Sequence, residues 1–82
     1  VSKRDLVKIE WNDANSPMGG HWQDAEDLDN KPIRCVSVGF VMREDKHAVT
    51  LASHLGGKTE LHCVNGLMTI PQVCIVKRRK LK

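Results

Sequence analysis

The chain has 82 residues and a mass of 9.2 kDa, which bounds it to one domain whose small core buries only about 60% of the unfolded surface. Hydrophobic residues at 40% and charged residues at 28% exclude a wholly disordered chain. No apolar run approaches the roughly 18 residues of a membrane helix, and the opening VSKRDLVKIE has no signal-peptide apolar core, so a cytoplasmic domain without a membrane role is expected.

Residues 5–12 (DLVKIEWN) alternate, with Val7, Ile9 and Trp11 on one face and Leu6, Lys8, Glu10 and Asn12 on the other. That period of two predicts a half-buried strand. Residues 13–32 lose all periodicity: Asn15, Pro17, Gly19, Gly20, Asn30 and Pro32 surround a dense acidic cluster. A loop this long is either functional or packed by its own side chains, with Trp22 and Leu28 the expected internal anchors and a short helical turn possible over QDAEDL.

Residues 33–44 (IRCVSVGFVMRE) read as the strongest strand, with Val36, Val38, Phe40 and Met42 on one face and Ile33, Cys35 and Val41 on the other. Gly39 within it predicts a bend or bulge. Glu44-Asp45-Lys46 supplies a turn, residues 47–53 (HAVTLAS) a third strand, and residues 54–60 a Gly-Gly hairpin loop. Residues 61–70 (LHCVNGLMTI) form a fourth strand with Gly66 near its middle, Pro71 interrupts it, and residues 73–76 (VCIV) begin a fifth. There is no helix-period stripe of useful length, so the chain is expected to be all-β. Residues 1–76 form the expected domain, with 77–82 a basic C-terminal tail.

Charge is unevenly placed. Lys77, Arg78, Arg79, Lys80 and Lys82 are five of the 13 basic residues, and without residues 77–82 the body carries 8 basic against 10 acidic groups. The net charge of +3 therefore rests on one end of the chain. Cys35, Cys63 and Cys74 show no C-x-x-C spacing and no His-x₃₋₅-His to complete a zinc site. Each lies in an apolar stretch where a free thiol acts as a small hydrophobe, so reduced, slowly reacting structural thiols are expected, with no metal and no cofactor. The four histidines and ten carboxylates show no diagnostic catalytic spacing, and His62 and Cys63, as strand neighbours, point to opposite faces. No catalytic residue is assigned, and a non-enzymatic role is expected.

The element order is a short strand, a long loop, three meander strands, a Pro-containing kink and a last strand. It resembles the strongly bent five-stranded barrel of the Src-homology type. The segments SVGFVMREDKHAVTL (37–51) and VNGLMTI (64–70), together about a quarter of the chain, resemble the Sm-like RNA-binding barrel, in which Gly39 precedes Asp45 by the family's spacing. That family's Met-Asn after the Asp reads Ala48-Val49 here, and its Arg before the Gly reads Asn65. Trp11, Asp13, Ser37-Val38-Gly39-Phe40-Val41, Glu44-Asp45, Val49-Thr50-Leu51-Ala52 and Ile70-Pro71 leading to Cys74-Ile75 look like small uncharacterised bacteriophage and prophage proteins. That resemblance implies an accessory viral protein acting in the host cytoplasm.

Three functional expectations follow. The first is a surface for a host or viral protein formed by His21, Trp22, Asp24, Glu26, Asp27 and Asp29, which matches in composition the loop that recruits basic peptides to Src-homology barrels. The second is nucleic-acid binding through Lys3, Arg4, Lys77, Arg78, Arg79 and Lys80, gathered because the first and last strands of such a barrel are neighbours. The third is an oligomer holding a small nucleotide between subunits. Self-association through the fourth or fifth strand is expected in each case, because the fourth carries no charged residue over ten positions and edge strands invite pairing.

Overall fold

The computed structural model describes residues 4–16, 21–58 and 60–82. Five strands, β1 (Leu6–Asp13), β2 (Ile33–Glu44), β3 (Ala48–Gly56), β4 (Cys63–Pro71) and β5 (Ile75–Lys80), form one sheet. Its order is β4-β3-β2-β1-β5 and every pairing is antiparallel. The described residues contain no α-helix: Ala25–Asp27 and Gln72–Cys74 are single 3₁₀ turns, the second linking β4 to β5. No helix among them is long and apolar enough to cross a membrane. The sheet is open, with β4 and β5 as its two edges.

The alternation of β1 sets the inside. Val7, Ile9 and Trp11 are buried and face Val49, Leu51 and Ile70 from β3 and β4, with Cys35, Val41 and Ile75 packed against them. Register explains which face of β2 turns inward: Cys35, Ser37 and Gly39 stand opposite Trp11, Ile9 and Val7, and directly opposed residues share a face. The indole Nε1 of Trp11 donates to Ser37 Oγ at 3.0 Å, which satisfies its one donor as the ring leaves water. The alternate residues Val36 and Val38 are left outside, about half exposed.

Asp45 builds the β2–β3 turn. Its Oδ1 accepts from the backbone N–H groups of His47 and Ala48 at 2.8 and 2.9 Å, a side chain standing in for a turn carbonyl. Two glycines shape the sheet, Gly39 where the sequence predicts a bend and Gly66 in the middle of β4. A Cβ on Gly39 would lie 2.9 Å from the Ala52 carbonyl oxygen and 3.0 Å from Leu51 Cβ, so only glycine lets β2 pass β3 this closely. Gly66 has φ +68 opposite Ser53, where a Cβ would meet Ser53 Cβ at 2.9 Å; the left-handed backbone and the crowding both select glycine.

Two expectations are corrected. The basic run is not a tail: Lys77 to Lys80 belong to β5, paired with β1 from Glu10 to Val7. The boundary expected after Val76 thus falls inside a strand, because pairing satisfies backbone groups whatever the charge of the side chains. Val76 is bulged where the register shifts between Glu10 and Trp11, and it is about half exposed. Nor do Trp22 and Leu28 anchor the long loop from within; they are 102% and 55% exposed. The seven-residue core is already filled from the strands.

One ionic strap joins β5 to the end of β2. Arg78 donates to Glu44 through Nη1–Oε2 at 2.6 Å and Nη2–Oε1 at 3.1 Å, and Gln72 Nε2 donates to the same carboxylate at 3.0 Å. These hydrogen bonds, from Arg78 first and then Gln72, hold the Glu44 carboxyl below its ordinary value of 4.5. A lowered folded-state pKa means stability that is present above the unfolded value and lost as pH falls through the folded one. Because both side chains are about one-third exposed, Glu44→Gln is expected to cost about 1 kcal/mol or less at pH 7. Urea unfolding should show that difference at pH 7 and find it shrinking as the pH falls below the ordinary carboxylate range and Glu44 becomes protonated in the folded state as well.

Candidate functional site

The long loop presents His21, Trp22, Asp24, Glu26, Asp27 and Asp29 at exposed positions, with Trp22 fully in solvent. Short-range bonds hold its shape: Asp27 N–H donates to the Asp24 carbonyl at 3.0 Å, closing the 3₁₀ turn, and Lys31 N–H donates to Asp29 Oδ1 at 3.2 Å. Asn15 Nδ2 donates to the Lys31 carbonyl at 2.9 Å and so ties the two stems of the loop together. Asn15, Asp29, Asn30, Lys31 and Pro32 border a shallow hollow of about 410 Å³ there. Among the described residues the ion pairs are Arg78–Glu44 and Lys80–Asp5, so no cation neutralises the four loop carboxylates. A fully exposed indole beside uncompensated negative charge combines an apolar anchor with a field that favours a basic partner.

The basic residues expected to gather are divided instead. Lys77 and Arg79 stand opposite Glu10 and Lys8, on the outer face of the sheet. Arg78 and Lys80 stand opposite Ile9 and Val7 on the other face, where Arg78 binds Glu44 and Lys80 lies 3.3 Å from Asp5. Strand alternation is the reason: four consecutive cations in a strand cannot share a face. Arg4 is exposed just before β1, and Lys3 lies outside the described residues. On β1 and β5 the outer face keeps Lys8, Lys77 and Arg79 against a single acid, Glu10, and these four line one shallow depression; Arg34 of β2 lies on the same face, opposite Asn12.

The positions that resemble the Sm-like barrel are used structurally. Asp45 caps its turn, Val49 is fully buried, and Asn65 Oδ1 accepts from the Gly66 N–H at 2.6 Å. His62 Nδ1 sits 3.0 Å from the Glu60 carbonyl. No group of three His, Cys, Asp or Glu side chains within reach of one metal ion occurs among the described residues.

A feature that sequence reasoning missed lies between β2 and β3. Their ladder covers only Phe40–Glu44 against Val49–Ala52, and beyond it the strands part. Ser37, Val38, Leu51, Ser53, Gly66, Leu67 and Met68 line the resulting cleft, about 410 Å³ in volume and without a charged side chain. The available signal was Gly39 and Gly66 together with the doubly apolar faces of β2 and β4, yet nothing local reports where two strands separate.

The chain matches no protein-family model, no curated protein and no solved structure.

The three thiols are free but unequal: Cys35 and Cys74 are half-buried, whereas Cys63 is exposed at the start of β4. The expected uniform protection therefore fails at Cys63, because an edge strand buries little. A disulfide reagent should modify Cys63 first and the other two more slowly, as mapped by peptide mass spectrometry. Equal rates at all three positions would contradict this placement.

Proposed function

We propose that this chain is a non-enzymatic accessory binding protein that engages a host or viral protein through the loop carrying Trp22 and the carboxylates of residues 24–29. One observation carries the reading: Trp22 is 102% exposed, amid four carboxylates that no cation of the described chain pairs with. An exposed indole loses a large apolar area to water, and docking it in a partner's pocket recovers that area at roughly 25 cal/mol per Å². The fold fits this role as a strongly bent barrel of the Src-homology or Sm-like type, a reading supported by the strand order, the 3₁₀ link before β5 and the close passage at Gly39. In such a barrel the long loop after β1 projects beside the sheet.

A second reading, nucleic-acid binding, has its own support in Lys8, Lys77 and Arg79 on the outer face of β1 and β5. Three cations there, offset by Glu10, give a salt-sensitive contact weaker than a cluster of six.

Paired baits separate the two. Wild-type chain and Trp22→Ala, immobilised side by side, are exposed to a bacterial lysate at low and high salt. A protein retained by wild type and lost both with Trp22→Ala and with neutralised residues 24–29 is expected. Identical capture by all baits would overturn the loop reading. Fluorescence anisotropy with short RNA and DNA, abolished by Lys77→Ala and Arg79→Ala but not by Trp22→Ala, would favour the second.

A further inference from the structure

We propose that the cleft between β2 and β3 is a self-association site, in which a second copy of this chain supplies the strand pairing that one copy leaves unmade. This surface is separate from the Trp22 loop, and the proposal does not rest on that loop's role.

The argument begins with the ladders. Residues 33–39 of β2 pair with β1 on one side, and residues 54–56 of β3 pair with β4 on one side. Neither segment pairs with the other, because the β2–β3 ladder stops at Phe40 and Ala52. Two interior strands of the sheet thus present open edges for half their length. Unpaired edges of this kind template pairing with another chain. The parting is built in: Gly39 brings β2 against the Ala52 carbonyl at the last paired position, and left-handed Gly66 interrupts β4 opposite Ser53 just beyond it.

Side chains at the opening suit a buried contact. Val36, Val38, Val64, Leu67 and Met68 are between 39% and 57% exposed, and the cleft lining contains no charge. Area supplies the measure of what is missing. The chain exposes 6648 Å², whereas a compact protein of 9.2 kDa exposes about 4,900 Å² by size scaling. The excess, roughly 1,700 Å², is shared between the exposed loop of residues 21–32 and the parted strands, and it leaves room for the roughly 800 Å² that each partner gives to a stable interface of standard size. The radius of gyration, 16.6 Å, against about 12 Å for a compact chain of this length, points the same way.

A second copy fits better than a foreign peptide because the two open edges complement each other. When β2 of one copy meets β3 of its partner, two-fold symmetry makes the reciprocal pairing as well, and all four edges close in one step. Arg34 is the one charged side chain on these two edges, and its guanidinium is turned to Asn12, to which it donates at 3.1 Å, so the cleft itself sets no charge repulsion between identical molecules. The fourth strand still contributes, through Leu67 and Met68 beside the cleft, but the pairing edges belong to β2 and β3 rather than to β4 or β5.

Sedimentation equilibrium at micromolar concentration should return twice the 9.2 kDa chain mass. Val38→Lys with Leu67→Lys places charge at two exposed cleft positions without touching the core, and this variant should sediment as a monomer with an unchanged β-sheet spectrum. Should that spectrum be lost, Val36→Lys serves in its place. Amide hydrogen exchange locates the contact: amides within residues 33–38 and 53–56 should exchange at least about tenfold more slowly in wild type than in the monomeric variant, while Ile9 and Val49 stay alike. A monomeric wild type would overturn the proposal. So would a dimer that survives both substitutions, or one whose cleft amides exchange as fast as the monomer's.

Discussion

The structure depends on one short ladder, Phe40–Glu44 against Val49–Ala52, which is all that joins the β1–β2 ribbon to the β3–β4 ribbon by backbone bonds. A two-stranded ribbon alone is at best marginally stable in water. Joined here, the ribbons bring Val7, Ile9 and Trp11 against Val49, Leu51 and Ile70, and the core exists because they meet. Gly39 sets the distance of that meeting, since any side chain would strike the Ala52 carbonyl. Just past the same close crossing the β2–β3 ladder ends and the two strands part. Core and cleft are two results of one contact.

β1 holds the rest in place. It is the one strand paired along most of its length on both sides, with β2 and with β5, and it supplies three of the seven buried core residues. β5 adds little burial and much charge, yet it is fixed by its ladder and by the Arg78–Glu44 strap. This pairing turns a basic run into a strand and divides its cations between two faces. The electrostatic picture changes accordingly, from a single positive end to a modest outer stripe and a neutralised inner rim.

Much of this was legible in the sequence, for physical reasons that also mark the limits. Period-two alternation located β1 and β2 almost to the residue, since each has a face fixed by burial. β3 and β5 run further than expected at their ends, His54 to Gly56 and Lys77 to Lys80, because those ends are held by a neighbouring strand rather than by their own pattern. Gly39 was recognisable as a bend and Gly66 only as a glycine within a strand; what each accommodates depends on residues distant in sequence. Trp22 was the main error of placement. An indole in a small protein is usually buried, and only the filled core shows that no room remained for it. The acidic cluster was visible by composition; that none of the described cations forms an ion pair with it was not, since Arg78 and Lys80 pair with Glu44 and Asp5 instead.

Two surfaces emerge with different chemistry. The loop is polar, acidic and built around one aromatic residue, while the cleft is uncharged and edged by unpaired strands. They need not share a partner. Both follow from a domain too small to enclose its own apolar residues, in which strand geometry decides what is left outside. The central claim, that the ribbons part beyond Phe40 and Ala52 within a single copy, is tested most directly by small-angle X-ray scattering from the monomeric Val38→Lys, Leu67→Lys chain. The account predicts a radius of gyration close to 16.6 Å. A value near 12 Å, that of a compact closed chain of this length, would contradict it.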